Sequence, residues 1–83
     1  MELKETISMM QSEDYKERFK AEYFQLAIRY KKLCAFLDKW DNGELEFIPC
    51  CPRSTYNMQI KAMVDYLAVL EARAVMEGIE LEF

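Results

Sequence analysis

The stretch Cys51-Pro-Arg-Ser-Thr-Tyr-Asn57 holds the residues best suited to grip an anion. A helix starting near Ser54 presents free backbone N–H groups at its first turn, where phosphate or carboxylate is favoured. Arg53 adds a forked donor and Tyr56 a stacking face. The same residues also have a purely structural use. Ser54 or Thr55 can cap the helix, and Tyr56 can fill the first core layer.

A second set lies between residues 13 and 40. Lys16, Arg18 and Lys20 share one turn of a helix, and Arg29 and Lys32 share another. Tyr15, Tyr23, Phe24 and Tyr30 interleave with them. Aromatic faces beside Arg and Lys are what a nucleotide pocket between subunits would use, stacking for the base and charge for the phosphates. In such a pocket Arg53, Ser54 and Tyr56 of one subunit meet Lys20, Arg29 or Lys32 of a neighbour. The alternative is a solvated basic face with the aromatics turned to a core. The neighbours Lys31 and Lys32 repel mildly, which an anionic ligand would relieve.

Catalysis and metal binding have little to work with. The chain has no histidine, and Cys34, Cys50 and Cys51 show no C-x-x-C spacing. Zinc sites need Cys and His in tight clusters. Adjacent cysteines chelate one ion poorly, so Cys50-Cys51 reads as a pair of small buried side chains in a loop. A nucleophilic cysteine would lack a histidine base. The carboxylates fall at solvated-face spacing. The chain is therefore expected to be a binding protein and not an enzyme, with no metal and no cofactor. An odd, unpatterned cysteine count argues against a disulfide scaffold and points to a reducing cytosol. Residues 1–11 are too polar for a secretory leader. No run approaches the roughly 18 apolar residues of a membrane span.

The elements that must position these residues follow from spacing. At 83 residues the chain is one domain, 1–83. Ser12 reads as an N-cap, with Glu13 and Asp14 suited to the positive end of a helix over about 13–40. Phe19, Tyr23, Leu26, Tyr30, Leu33, Leu37 and Trp40 are spaced alternately four and three, an unbroken heptad seam. Phe24, Ala27, Ile28, Cys34, Ala35 and Phe36 lie off that seam, so this helix needs more than one partner. Gly43 suits a left-handed terminus. A connection over 41–53 holds both prolines, and a second helix over about 54–77 ends at Gly78. Tyr56, Ile60, Met63, Leu67, Leu70 and Ala74 repeat the seam spacing. The expected fold is all-α: an antiparallel two-helix hairpin, with residues 1–11 either a short extra helix or disordered. A chain this size buries only about 60–65% of its unfolded surface. With 52% hydrophobic residues it is expected to assemble into an oligomeric helical bundle.

The net charge of −4 excludes bulk attraction to nucleic acid or to an anionic membrane. The charge is uneven: residues 13–40 carry net +2 and residues 41–83 net −5, which favours antiparallel packing within or between chains. Glu-Leu-Glu-Phe also occurs twice, at 44–47 and in the tail 78–83. The two copies would lie at opposite ends of a hairpin. They could pair only between subunits, with Leu45 and Phe47 packing near Leu81 and Phe83 of a neighbour. Otherwise each copy caps its own helix end.

DYKERFKAEYFQLAIRYKKLCAFLDKW followed by NMQIKAMVDYLAVLEARAVMEGI resembles small helical-hairpin proteins of gut bacteriophages and prophages, including a crAss-like phage hairpin family. The features that carry the likeness are the first seam and the Q-x-x-A-M-x-x-Y-L-x-V-L-E-x-R-A stretch, Gln59 to Ala74. In layout the chain is similar to the hairpin domain of phage anti-CBASS and anti-Thoeris sponge proteins. That resemblance implies an oligomeric bundle, in the host cytosol, that sequesters a small nucleotide immune signal between subunits. No residue role is carried over from it. Two other functions fit the same chain. An acidic hairpin using Glu71, Glu77, Glu80 and Glu82 could inhibit a bacterial defence effector such as a CRISPR nuclease, and a coiled-coil adaptor would need no pocket.

Overall fold

The structure, a computed structural model, describes residues 1–82. Those residues contain helices and no strand. A 3-10 turn over Leu3–Thr6 leads into a single helical turn, α1 (Ile7–Met10). Two long helices follow, α2 (Tyr15–Asp41) and α3 (Arg53–Glu77). The molecule is elongated, 43 × 24 × 19 Å. Among the described residues no helix is long and apolar enough to cross a membrane.

Helix α2 begins two residues later than the Ser12 cap implies. Asp14 is the N-cap, its carboxylate accepting from the Lys16 amide at 2.9 Å. Ser12 caps the turn before it, its hydroxyl accepting from the Asp14 amide at 3.0 Å. The helix then runs unbroken for 27 residues because nothing within it is Gly or Pro. Gly43 at φ 72° and Gly78 at φ 70° end the two long helices in the left-handed region, where a side chain would be strained. Pro52, and not Ser54 or Thr55, is the N-cap of α3. It pre-sets the backbone for the helix but has no side chain able to cap it.

The two long helices are antiparallel, as cross-contacts along their length show. Tyr15 meets Glu77 and Arg73, Glu22 meets Tyr66, and Asp41 meets Arg53. The core sits near the open end, where Phe19, Leu70, Ala74 and Ile79 bury one another with Tyr23, Leu26 and Leu81 packed around them. Leu70 has no exposed surface. The second apolar face of α2 is covered from within the chain. Ala21, Phe24 and Ile28 are buried on the side where α1 and the 3-10 turn pack. Gln25 pins that segment, donating to the Thr6 hydroxyl at 3.0 Å and to the Met10 sulfur. Thr6 in turn donates to the Leu3 carbonyl at 2.7 Å and is fully buried. Residues 1–11 are thus an ordered cover for α2.

The first Glu-Leu-Glu-Phe copy lies at the turn end, and residues 80–82 of the second lie at the open end. Leu81 lies against the chain's own core, and Phe47 stacks on Phe36. Phe83, the last residue of the second copy, lies outside the described residues. Lys20–Glu17, Lys61–Asp65 and Arg73–Glu77 each lie within one helix, and Arg53–Asp41 joins the two. Cys50 and Cys51 are exposed, against the expectation of buried loop residues, and Cys34 is half-buried. Pro52 is extended, at φ −64° and ψ 152°, and the connection before it lies largely on the surface.

A polar clasp closes the open end. The Tyr15 hydroxyl donates to Glu77 at 2.5 Å and accepts from Arg73 at 3.1 Å, while Arg73 also reaches Glu77 at 3.2 Å. The Arg73 guanidinium lies 5.0 Å from the centre of the Phe19 ring, tying the clasp to the core. The hydrogen bond from Tyr15, with help from Arg73, holds the Glu77 carboxyl below its ordinary value of 4.5. The same bond raises the Tyr15 hydroxyl above 10.0. A depressed carboxyl stabilises the fold above the unfolded value and loses that contribution as pH falls through the folded value. A raised tyrosine contributes below its unfolded value and loses it as pH rises through the folded value.

Two expectations follow from this packing. Leu70→Ala should destabilise the fold by about 3 kcal/mol, lowering the melting temperature by on the order of 15 °C. Val75→Ala, at a position 83% exposed, should stay within about 0.5 kcal/mol of wild type in the same calorimetric experiment. The melting-temperature gap between wild type and Glu77→Gln should shrink as pH is lowered from 7 through the range below 4.5. A gap that stays constant down to pH 3 would show that the clasp does not stabilise the fold.

Candidate functional site

The hairpin's turn end gathers aromatic rings and basic side chains on one surface. Helical spacing places Phe36 and Trp40 one turn apart near the end of α2, their centroids 6.1 Å apart. The first turn of α3 supplies Tyr56, 5.8 Å from Phe36 and 5.6 Å from Trp40. After the turn at Gly43 the chain folds back and lays Phe47 over Phe36, stacked at 6.0 Å with planes 21° apart. Phe36, Trp40 and Tyr56 are only half-buried, and Phe47 is 59% exposed. The four rings therefore pack against one another and still offer faces to water, as a stacking platform for a planar ligand would.

Two cavities flank the platform. One of about 360 Å³ is lined by Phe36, Lys39, Glu44, Leu45, Glu46 and Phe47. The other, of about 170 Å³, lies between the helices and is lined by Cys34, Leu37, Asp38, Arg53, Asn57 and Ile60. Lys39 thus stands on one rim and Arg53 on the other. The Arg53 fork is occupied within the chain. Its Nε and one terminal nitrogen donate to the two Asp41 carboxylate oxygens, each at 3.2 Å, and the other terminal nitrogen donates to Asn57. Three of its five N–H groups are used, so an anion would meet an arginine held in a fixed orientation.

The residues singled out in the sequence divide by place. Arg53, Ser54 and Tyr56 come together at the start of α3, with Ser54 exposed and Tyr56 in the ring cluster. Arg29 and Lys32 are exposed on α2. Lys32 lies one turn before Phe36 and Lys39 three residues beyond it, so both flank the platform on the same helix. Within one chain Lys20 stands apart from this cluster. It lies 16 residues before Phe36, about 24 Å along the helix axis. There it pairs with Glu17 at 3.7 Å and lines a separate cavity of about 320 Å³ with Met9, Phe24, Glu80 and Glu82.

Sequence reasoning placed Trp40 in the seam and Phe36 on a generic apolar flank, and it read Phe47 only as part of a repeat. The signal available was the aromatic pair at i and i+4 directly before a Gly turn, followed by a third aromatic four residues after that glycine. The tyrosine hydroxyls that shift do so away from the platform. Tyr66 is raised by its bond to Glu22, Tyr30 by its contact with Cys34, and Tyr23 by burial and then Glu71.

Fold and site together define an all-helical hairpin that carries an aromatic platform with cationic rims at its closed end. The chain belongs to the Sequestin family, whose sequence model matches residues 13–76. That span takes in most of α2 and α3 and the connection that carries Phe47. No curated protein and no solved structure matched the chain.

Proposed function

We propose that this protein binds and sequesters a small anionic nucleotide, acting as a phage-type anti-defence protein that withdraws a bacterial immune signal in the host cytosol. Membership of a family named for sequestration supports capture. The observation that carries the ligand class is the exposed cluster of Phe36, Trp40, Phe47 and Tyr56 between Lys39 and Arg53. Rings of this kind take a nucleobase on their faces, and a phosphate then reaches the ammonium and guanidinium groups beside it. Arg29 and Lys32 extend the positive surface along α2, and the uncapped N–H groups at Ser54 add a further donor edge. In an oligomer a neighbouring subunit would close the open face of this shallow site. The reading assigns no turnover, and the captured signal leaves chemically unchanged.

Native mass spectrometry of the purified protein against a panel of cyclic di- and trinucleotides tests this directly. The expected result is uptake of an intact ligand that is recovered with its mass unaltered after denaturation. Trp40→Ala should weaken that uptake by roughly 5- to 150-fold, the loss of about 1–3 kcal/mol of base stacking. Lys39→Glu, on the exposed rim, should weaken it without lowering the melting temperature. A wild-type protein that stays empty across the panel would overturn the nucleotide reading.

A further inference from the structure

Helix α3 carries a second heptad stripe, on the side opposite its seam. Met58, Ala62, Asp65, Val69, Ala72 and Met76 follow the same alternation of four and three residues. Every one of them is exposed, Met58 at 74%, Val69 at 55% and Met76 at 76%. Nothing within the described residues covers this stripe. Helix α2 lies on the other face of α3, and α1 and the 3-10 turn pack only on α2. Five of its six residues are apolar, and an apolar stripe along a helix is what a second helix seats against.

The order of residues identifies the partner. Read from either end, the stripe runs Met, Ala, one central residue, a second central residue, Ala, Met. Only the centre breaks the symmetry, with Asp65 matched to Val69. A palindrome is what a two-fold axis requires, because an isologous interface presents the same residues to themselves in reverse order. We infer that α3 pairs with the α3 of a second copy, antiparallel, about an axis near Leu67. In that register Met58 faces the partner's Met76, and Ala62 faces the partner's Ala72. Asp65 faces the partner's Val69.

Charge and area agree with this partner. The stripe's one carboxylate, Asp65, is paired with Lys61 of its own helix at 2.9 Å, so two stripes meet without net charge. A parallel pair would set Asp65 directly against its own copy. The antiparallel register offsets the two carboxylates along the axis and opposes the helix dipoles. The small Ala62 and Ala72 let the backbones approach, while Met58 and Met76 fill the ends. At 25 residues α3 is about 37 Å long, and an arc of about 130° on it would bury roughly 600 Å² per partner, about 1,200 Å² in all. That is the lower bound of a specific interface. The dimer should therefore assemble at micromolar concentration. This inference does not depend on the nucleotide reading, because a dimer without nucleotide affinity would leave it intact.

Sedimentation of the full chain between about 1 and 100 µM tests it, with circular dichroism to monitor the fold. The expected species is a dimer at twice the 9.9 kDa chain mass. Val69→Glu, at an exposed position, should give a monomer with unchanged helicity. Ala72→Glu should weaken the dimer at least tenfold, and adding Ala62→Lys in the same chain should restore it, because the two changes face each other only in the antiparallel register. A wild-type protein that remains monomeric at 100 µM would overturn the inference and leave the stripe to a different partner. So would a Val69→Glu protein that dimerises as wild type does, or a double variant that fails to recover.

Discussion

A single long helix with two apolar faces sets the terms for everything else in this molecule. Helix α2 is continuous from Tyr15 to Asp41, and its seam and its Ala21–Phe24–Ile28 flank point in different directions. Neither face is stable in water alone. The flank is covered by the N-terminal segment, which is too short to hold its own shape and is pinned through Gln25 and the buried Thr6. The seam is covered by α3, and tightest packing falls at the open end around Leu70. Packing at the turn end is looser, and that looseness leaves the aromatic rings half in water. Core and platform are thus two ends of one seam, one closed around Phe19 and Leu70 and one where the rings are only half-covered.

Much of the architecture was legible in the residues because it rests on periodicity. The alternation of four and three gave both long helices, their antiparallel pairing and their facing sides, and the two glycines marked the ends. Caps were less legible. Ser12, Asp14, Ser54 and Thr55 are all plausible caps by type, and the choice between them is made by backbone geometry that spacing does not encode. The expectation that α2 needs more than one partner was sound. Its first ten residues supply that partner, which their polar composition concealed: Thr6 and Gln25 hold the cover in place by hydrogen bonds across 19 positions. The candidate site was half legible. Arg53 and Tyr56 stood out by chemistry, whereas Phe36, Trp40 and Phe47 converge only once the connection folds back. Lys20 lies toward the other end of α2, beside Glu17, Glu80 and Glu82, so within one chain it is not part of the cluster.

The exposed stripe on α3 illustrates how one pattern can be read twice. A helix whose front seam is buried and whose back repeats the same spacing has two interfaces written into it. The front is occupied by α2 through side chains of unequal size, a heterologous fit in which Leu70 and Ala74 meet Phe19. The back is nearly symmetric under reversal, which is the arrangement suited to a copy of itself. In the proposed dimer one helix would serve both contacts, so anything that tilts α3 against α2 would also tilt the second stripe.

Arg53 poses the sharpest physical question at the platform, since it is both a structural link and the best anion donor. Its pair with Asp41 is partly exposed, with side chains 33% and 57% accessible. Pairs of that kind contribute about 0–1 kcal/mol to stability. A phosphate offers a fork-shaped guanidinium charge-assisted bonds of its own, so the carboxylate is a replaceable partner. Meanwhile Asp41 and Asn57 hold the side chain in one orientation beside Tyr56 and limit the rotamer freedom a ligand would otherwise have to freeze. The internal pairing therefore keeps the donor aimed at the rim of the ring platform, at little cost to the anion that displaces it.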